Sequence, residues 1–91
     1  MQITFDPAKN ALNIELRGLS FEQVVDFEFE TATYRMDTRR DYGETRVRTF
    51  GYLDKRLHVL VFVEADSGIR VISFRRANKR EVKQYEQETK L

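Results

Sequence analysis

The sequence contains no cysteine and no tryptophan, a single histidine, a single proline and four glycines. Without cysteine there is neither a disulfide framework nor a thiolate metal site. One histidine, at position 58, with no spaced Asp/Glu cluster, is too little for a ligand signature, so no metal or other cofactor is expected. The glycines are scattered, which excludes a phosphate-cradling loop. A Gly-x-Ser-x-Gly nucleophile motif is also missing. No apolar run approaches the roughly 20 residues that span a bilayer, and Met1-Gln2-Ile3-Thr4 opens no signal peptide. The expectation is a soluble, cytoplasmic protein with no membrane partner. Neither charge sign is in excess, 16 Lys and Arg standing against 15 Asp and Glu, so any affinity for nucleic acid must come from local patterning.

What is present suits one compact core. Seven Phe and four Tyr in 91 residues supply the apolar bulk, and the length calls for a single domain, 1–91. Gln2 to Phe5 reads as a short strand. Asp6-Pro7 then starts a helix, with Asp as N-cap and Pro where its missing N–H costs nothing. That helix runs through Ala8, Leu12 and Leu16 and stops at Gly18. Ser20-Phe21-Glu22-Gln23 matches a capping box and opens a second short helix with Phe21, Val24 and Val25 inward. From Thr31 the hydrophobic period changes to two, predicting strands over 31–36, 44–52, 57–65 and 69–75. Short polar connections make the last three an antiparallel meander. The polar link 37–43 (DTRRDYG) is the segment expected to be most mobile. Asn78-Lys79-Arg80-Glu81 caps a closing helix whose apolar face is thin, Val82 and Tyr85. The fold class is α+β, strand–helix–helix followed by a four-stranded antiparallel meander and a C-terminal helix. The first strand joins the same sheet, and Leu12, Val47, Val59, Val61, Val63 and Val71 should be buried.

Charge is segregated along the chain. Between Phe21 and Thr31 lie four acids and no base; between Ile69 and Lys83 lie six bases against Glu81 alone. The basic third has the footprint of a phosphate-facing surface, although a solvated charged helix has the same composition. On the strand from Glu44, alternation puts Glu44, Arg46, Arg48 and Phe50 on one face. Such a set can grip a phosphate, orient a ribose and stack a base, or it can be a solvated face with Glu–Arg cross-pairs. Arg75 and Arg76 end the last strand and point to opposite faces, so only one of them can join Arg46. His58 is the one side chain whose unperturbed pKa is near neutrality, and it is a candidate acid or base. It also shares a strand face with Leu60 and Phe62, which favours a structural role. The aromatics Phe27 and Phe29 in the acidic stretch, with the thin face of the last helix, predict surfaces completed by another chain.

Taken in order, several segments resemble the BrnT family of toxins. Phe5-Asp6-Pro7-Ala8-Lys9 with Asn13, and Gly18-Leu19-Ser20-Phe21-Glu22, are similar to that family's opening. Gly43-Glu44-Thr45-Arg46 followed by Gly51 matches its E-x-R strand. Ile69-Arg70-Val71-Ile72-Ser73-Phe74-Arg75-Arg76-Ala77 with Glu81 and Tyr85 matches its closing signature. The resemblance implies a RelE-like fold and a growth-inhibiting endoribonuclease that cleaves mRNA without a metal. It also implies a neighbouring ribbon-helix-helix, BrnA-like antitoxin that covers the active face. The expected complex holds two copies of each chain, a heterotetramer that meets operator DNA only through the antitoxin. Two departures stand out: Phe5 where the family often has Trp, and Leu16-Arg17-Gly18 where it commonly has Lys-His-Gly. Guanidinium stays protonated, so Arg17 cannot do the acid–base work of a histidine.

For RNA cleavage, the resemblance and the strand pattern make Arg46 and Arg75 the first choices to stabilise charge on the phosphoryl oxygens, with Arg48 and Arg76 next. Glu44, His58 and Tyr85 are candidates for moving protons. Arg76, Lys79, Arg80, Phe50 and Tyr85 are candidates for holding RNA. The alternative is a degenerate toxin that binds antitoxin or RNA without cutting.

Overall fold

In the computed structural model, which describes residues 1–90, one five-stranded sheet carries two helices and a 3-10 helix. In chain order these are β1 (Gln2–Phe5), α1 (Pro7–Arg17), the 3-10 helix Phe21–Asp26, β2 (Thr33–Met36), β3 (Val47–Leu53), β4 (Arg56–Ala65), β5 (Gly68–Arg76) and α2 (Lys79–Glu88). The strand order is β1-β5-β4-β3-β2. β2 to β5 form the expected antiparallel meander, and β1 joins the sheet parallel to β5. The α+β class stands. No helix among the described residues is long and apolar enough to cross a membrane.

The local signals for the helices are realised. Asp6 caps α1 by accepting from the Ala8 N–H, Pro7 occupies the first turn, and Gly18 ends the helix at φ +70°, a left-handed value costly for any residue with a Cβ. Ser20 and Gln23 close their capping box, and Asn78 and Glu81 close another at the start of α2. Asp54 and Lys55, at φ +51° and +64°, form the two-residue turn between β3 and β4.

Period-two alternation divides the sheet into two faces. On one face Leu60, Phe62, Ile69, Val71 and Phe74 pack under the 3-10 helix and its flanks, Leu19, Phe21, Val24 and Phe27. On the other face Phe50, Leu57 and Val59 are covered by Tyr85 of α2, with Val82 and Ala77 beside them. The rest of that second face is open.

Several expectations need correction. β3 starts at Val47, so Glu44, Thr45 and Arg46 precede the strand, and β2 starts at Thr33. Val59, Val61 and Val71 are buried as expected, while Val47 and Val63 are half-buried. Leu12 is 53% exposed and Val25 70% exposed. α1 runs beside β5 instead of over a core face, and Asn13 is its one buried residue. The surfaces expected to await a partner are also filled internally. Phe27 is buried and stacks edge-to-face with Phe29 and Phe74, and the apolar face of α2 is spent on the sheet.

Candidate functional site

Asn13 organises the edge of the sheet where the site lies. β1 pairs only with Gly68 to Val71, so past Val71 the edge of β5 away from β4 has no neighbouring strand. There the Asn13 amide donates to the Phe74 carbonyl at 2.8 Å and accepts from the Phe74 N–H at 3.3 Å, as a paired strand would. A further bond to the Leu19 carbonyl, 2.9 Å, ties the helix end to the chain that follows. The register of β5 with β4 skips Ile72, and this bulge brings Ile72 and Ser73 beside α1.

This arrangement sets the C-terminal end of α1 against the open face. A pocket of about 190 Å³ results, in which Arg17 of α1, Arg39 of the 37–43 link, Arg48 of β3 and Arg75 of β5 converge beside Asn13 and Ser73. Val59 and Val61 form its apolar floor. Two of the arginines are held by carboxylates. Arg75 donates through both terminal nitrogens to Glu81, 2.9 Å each, and Arg39 makes a two-point pair with Asp37, 2.8 Å each. The Arg75 hydrogen bond is the main reason the Glu81 carboxyl titrates below its ordinary value, with burial opposing and the Arg48 charge adding. Arg39 likewise holds the Asp37 carboxyl well below the carboxylate range, and the Tyr42 hydroxyl donates to it as well. The 37–43 link, expected to be mobile, thus folds around a buried carboxylate. Arg48 lies 5.3 Å from the Phe50 ring.

The structure brings together Arg48 and Arg75 but not the other residues assigned to catalysis. Arg46 stacks on Tyr42 at 4.1 Å and pairs with Glu44, which also takes Arg70. Tyr42, Glu44 and Arg46 line a different depression on the 37–46 segment, with Arg70 of β5 joining their ionic cluster through Glu44. Alternation grouped Arg46 with Arg48, but the strand begins only at Val47 and the link turns Arg46 to its own partners. His58 occupies the opposite face, 3% exposed, with Nδ1–H donating to the Arg56 carbonyl at 2.7 Å and its ring 5.3 Å from Phe74. Burial pushes its pKa down.

Of the expected RNA contacts, Phe50 and Tyr85 are buried between the sheet and α2, where neither can stack a base. The Tyr85 hydroxyl donates to the Thr31 carbonyl at 2.6 Å. Arg76 projects to the His58 face and, with Arg56, Lys79 and Lys83, lines a groove of about 470 Å³ along α2. Arg80 is exposed on the same helix. Arg17 and Arg39 belong to the pocket but not to the residues expected there. Nothing in the strand pattern points to them, because one sits on a helix and the other on a link. Among the described residues no three His, Asp or Glu side chains converge as a metal-ligand set.

A family model described as the ribonuclease toxin BrnT of type II toxin–antitoxin systems matches residues 5–81. The chain belongs to the BrnT family. The match runs from the last residue of β1 into the first turn of α2, and so takes in every arginine of the pocket and the Glu81 that holds Arg75. No curated protein matches this BrnT chain closely enough to count as a relative. As a BrnT toxin it falls among ribonucleases whose type II partner is a protein antitoxin.

Proposed function

We propose that the chain, acting as one toxin domain of RelE-like type, is a metal-independent endoribonuclease whose scissile phosphate lies in the arginine pocket. The ribose 2′-oxygen attacks the adjacent phosphorus, and the bond from phosphorus to the 5′-oxygen breaks. Water protonates the departing 5′-oxygen and returns the hydroxide used to ionise the 2′-hydroxyl, so the products are a 2′,3′-cyclic phosphate and a 5′-hydroxyl. Arg48 and Arg75 donate to the oxygens on which charge builds, with Arg17 and Arg39 at the rim. The groove of Arg56, Arg76, Lys79 and Lys83 holds flanking RNA, and a ribbon-helix-helix antitoxin neutralises the enzyme in a heterotetramer. The observation that carries this reading is the convergence of four guanidinium groups, from three elements and the 37–43 link, in one pocket.

The pocket holds no side chain that titrates near neutrality, since Glu81 and Asp37 are shifted down and His58 lies across the sheet. Hydroxide must then generate the 2′-oxyanion, and the rate should rise about tenfold per pH unit between about pH 6 and 8. The same feature favours a second reading, a non-catalytic module that binds RNA or antitoxin.

Cleavage of a defined RNA in EDTA decides between them. The expected outcome is full activity, cyclic phosphate ends and an intact all-deoxy substrate. Arg48→Ala or Arg75→Ala should each lose about a hundredfold in rate, about 3 kcal/mol per donor. Arg46→Ala, outside the pocket, should retain most of it. Loss of activity in EDTA overturns metal independence, fully active Arg48→Ala and Arg75→Ala proteins overturn the assignment of cleavage to the pocket, and an RNA left uncut under every condition overturns the enzyme reading. RNA that binds but is never cut establishes the module.

A further inference from the structure

α1 carries its apolar side chains outward. Leu12 is 53% and Leu16 67% exposed, four residues apart on one ridge, while the helix is held to the sheet by the polar clamp of Asn13. With the bulged Ile72 they border a groove of about 290 Å³, flanked by Lys9 and Arg17 and by no acidic residue. Asn13, Arg17 and Ser73 line this groove and the arginine pocket alike, so the two are continuous. We propose that the Leu12–Leu16–Ile72 groove is the docking surface for an acidic amphipathic helix of the protein antitoxin, which extends a carboxylate into the arginine pocket.

The chemistry of the groove selects this occupant. Aliphatic side chains on a helical i, i+4 ridge interlock with the ridge of a second helix, and they offer RNA neither a phosphate contact nor a stacking ring. A second copy of this chain is disfavoured by charge, because two α1 helices packed face to face would set Lys9 and Arg17 against Lys9 and Arg17. An acidic helix meets those cations with opposite charge, and one carboxylate beside Arg17 and Arg48 would occupy the place of the phosphate. Docking and inhibition would then be a single event. The inhibitory half of the proposal rests on the arginine pocket being the cleavage site; the docking half does not.

The test uses the full chain co-expressed with the product of the open reading frame adjoining its gene. Leu12→Glu/Leu16→Glu places two acids where the partner's apolar ridge and negative charge must lie. Both positions are exposed, and circular dichroism should show an unchanged fold. By sizing and calorimetry the wild type should bind the neighbour's product, and the double variant should bind about thirtyfold more weakly or worse. The conservative Leu16→Met should bind as wild type does. Without the partner the variant should cleave RNA at the wild-type rate, and with the partner it should stay active while the wild type is silenced. Unchanged affinity of the double variant overturns the proposal. So does a wild-type homodimer that the substitutions dissociate, or a neighbour's product that never binds. If the wild type binds its partner but never cleaves RNA, the enzyme reading falls while the affinity ratio still decides the docking surface.

Discussion

Burial of His58 couples its titration to the stability of the fold. Its Nδ1–H is committed to the Arg56 carbonyl, and burial, more than the nearby charges of Arg76 and Arg56, lowers its pKa; the Arg56 carbonyl and Asp54 act in the other direction. The folded protein therefore binds this proton less readily than the unfolded chain, whose histidine titrates near 6.5. The contribution to stability is fully present above that value and is lost as pH falls through the folded pKa. Thermal unfolding followed between about pH 7 and 5 should show the melting temperature declining with acidity. In His58→Asn, which keeps a donor near Nδ1 but has no proton to gain, the decline should be shallower. Equal slopes would mean that His58 is not the titrating group. Further acid lability should follow below the ordinary values of Glu81 and Asp37, 4.5 and 3.8, because both carboxyls are stabilised in the charged form by arginines.

Among the elements, β3 shows a constraint its alternation pattern does not express. Gly51 lies beneath the Phe27 ring, and a Cβ there would come within 2.6 Å of Phe27 Cζ and 3.0 Å of the Ala32 side chain. Phe27 is itself buried against Phe29 and Phe74, so it has nowhere to retreat. Gly51→Ala should destabilise the fold by about 1–3 kcal/mol, the usual cost of overpacking, read as a lower denaturant midpoint with unchanged slope. A neutral substitution would show that the loop around Phe27 yields. The helix caps, the β3–β4 turn and the meander were legible because each depends on residues close in sequence. The burial of α1 was not. Its leucines have helical spacing, but which side meets the sheet is set by the Asn13–Phe74 bonds, 61 residues apart.

For the molecule as a whole, a formal charge of +1 conceals segregation in space as well as along the chain. The arginine pocket opens on one face of the sheet, and the Arg56, Arg76, Lys79 and Lys83 groove lies around its end beside α2. If RNA follows that groove, affinity for a single strand should fall with salt, each neutralised phosphate adding about −0.7 to the slope of log K against log salt. Lys79→Ala/Lys83→Ala should reduce the slope by about 1 to 1.5 and leave the cleavage rate at saturation unchanged. An unchanged slope would place the RNA elsewhere.

Composition, caps, turns and hydrophobic period determined the class of the fold, its strand order through the meander and the family resemblance, all properties written in local spacing. Tertiary structure decided which charges share a site. Arg46 and Arg48 are two residues apart and go to different clusters, whereas Arg17, Arg39, Arg48 and Arg75 come from three elements and a link into one pocket. The reason is physical. Alternation specifies a side chain's direction only within a strand, and convergence across a sheet depends on register, on the bulge at Ile72 and on how Asn13 seats the helix beside β5.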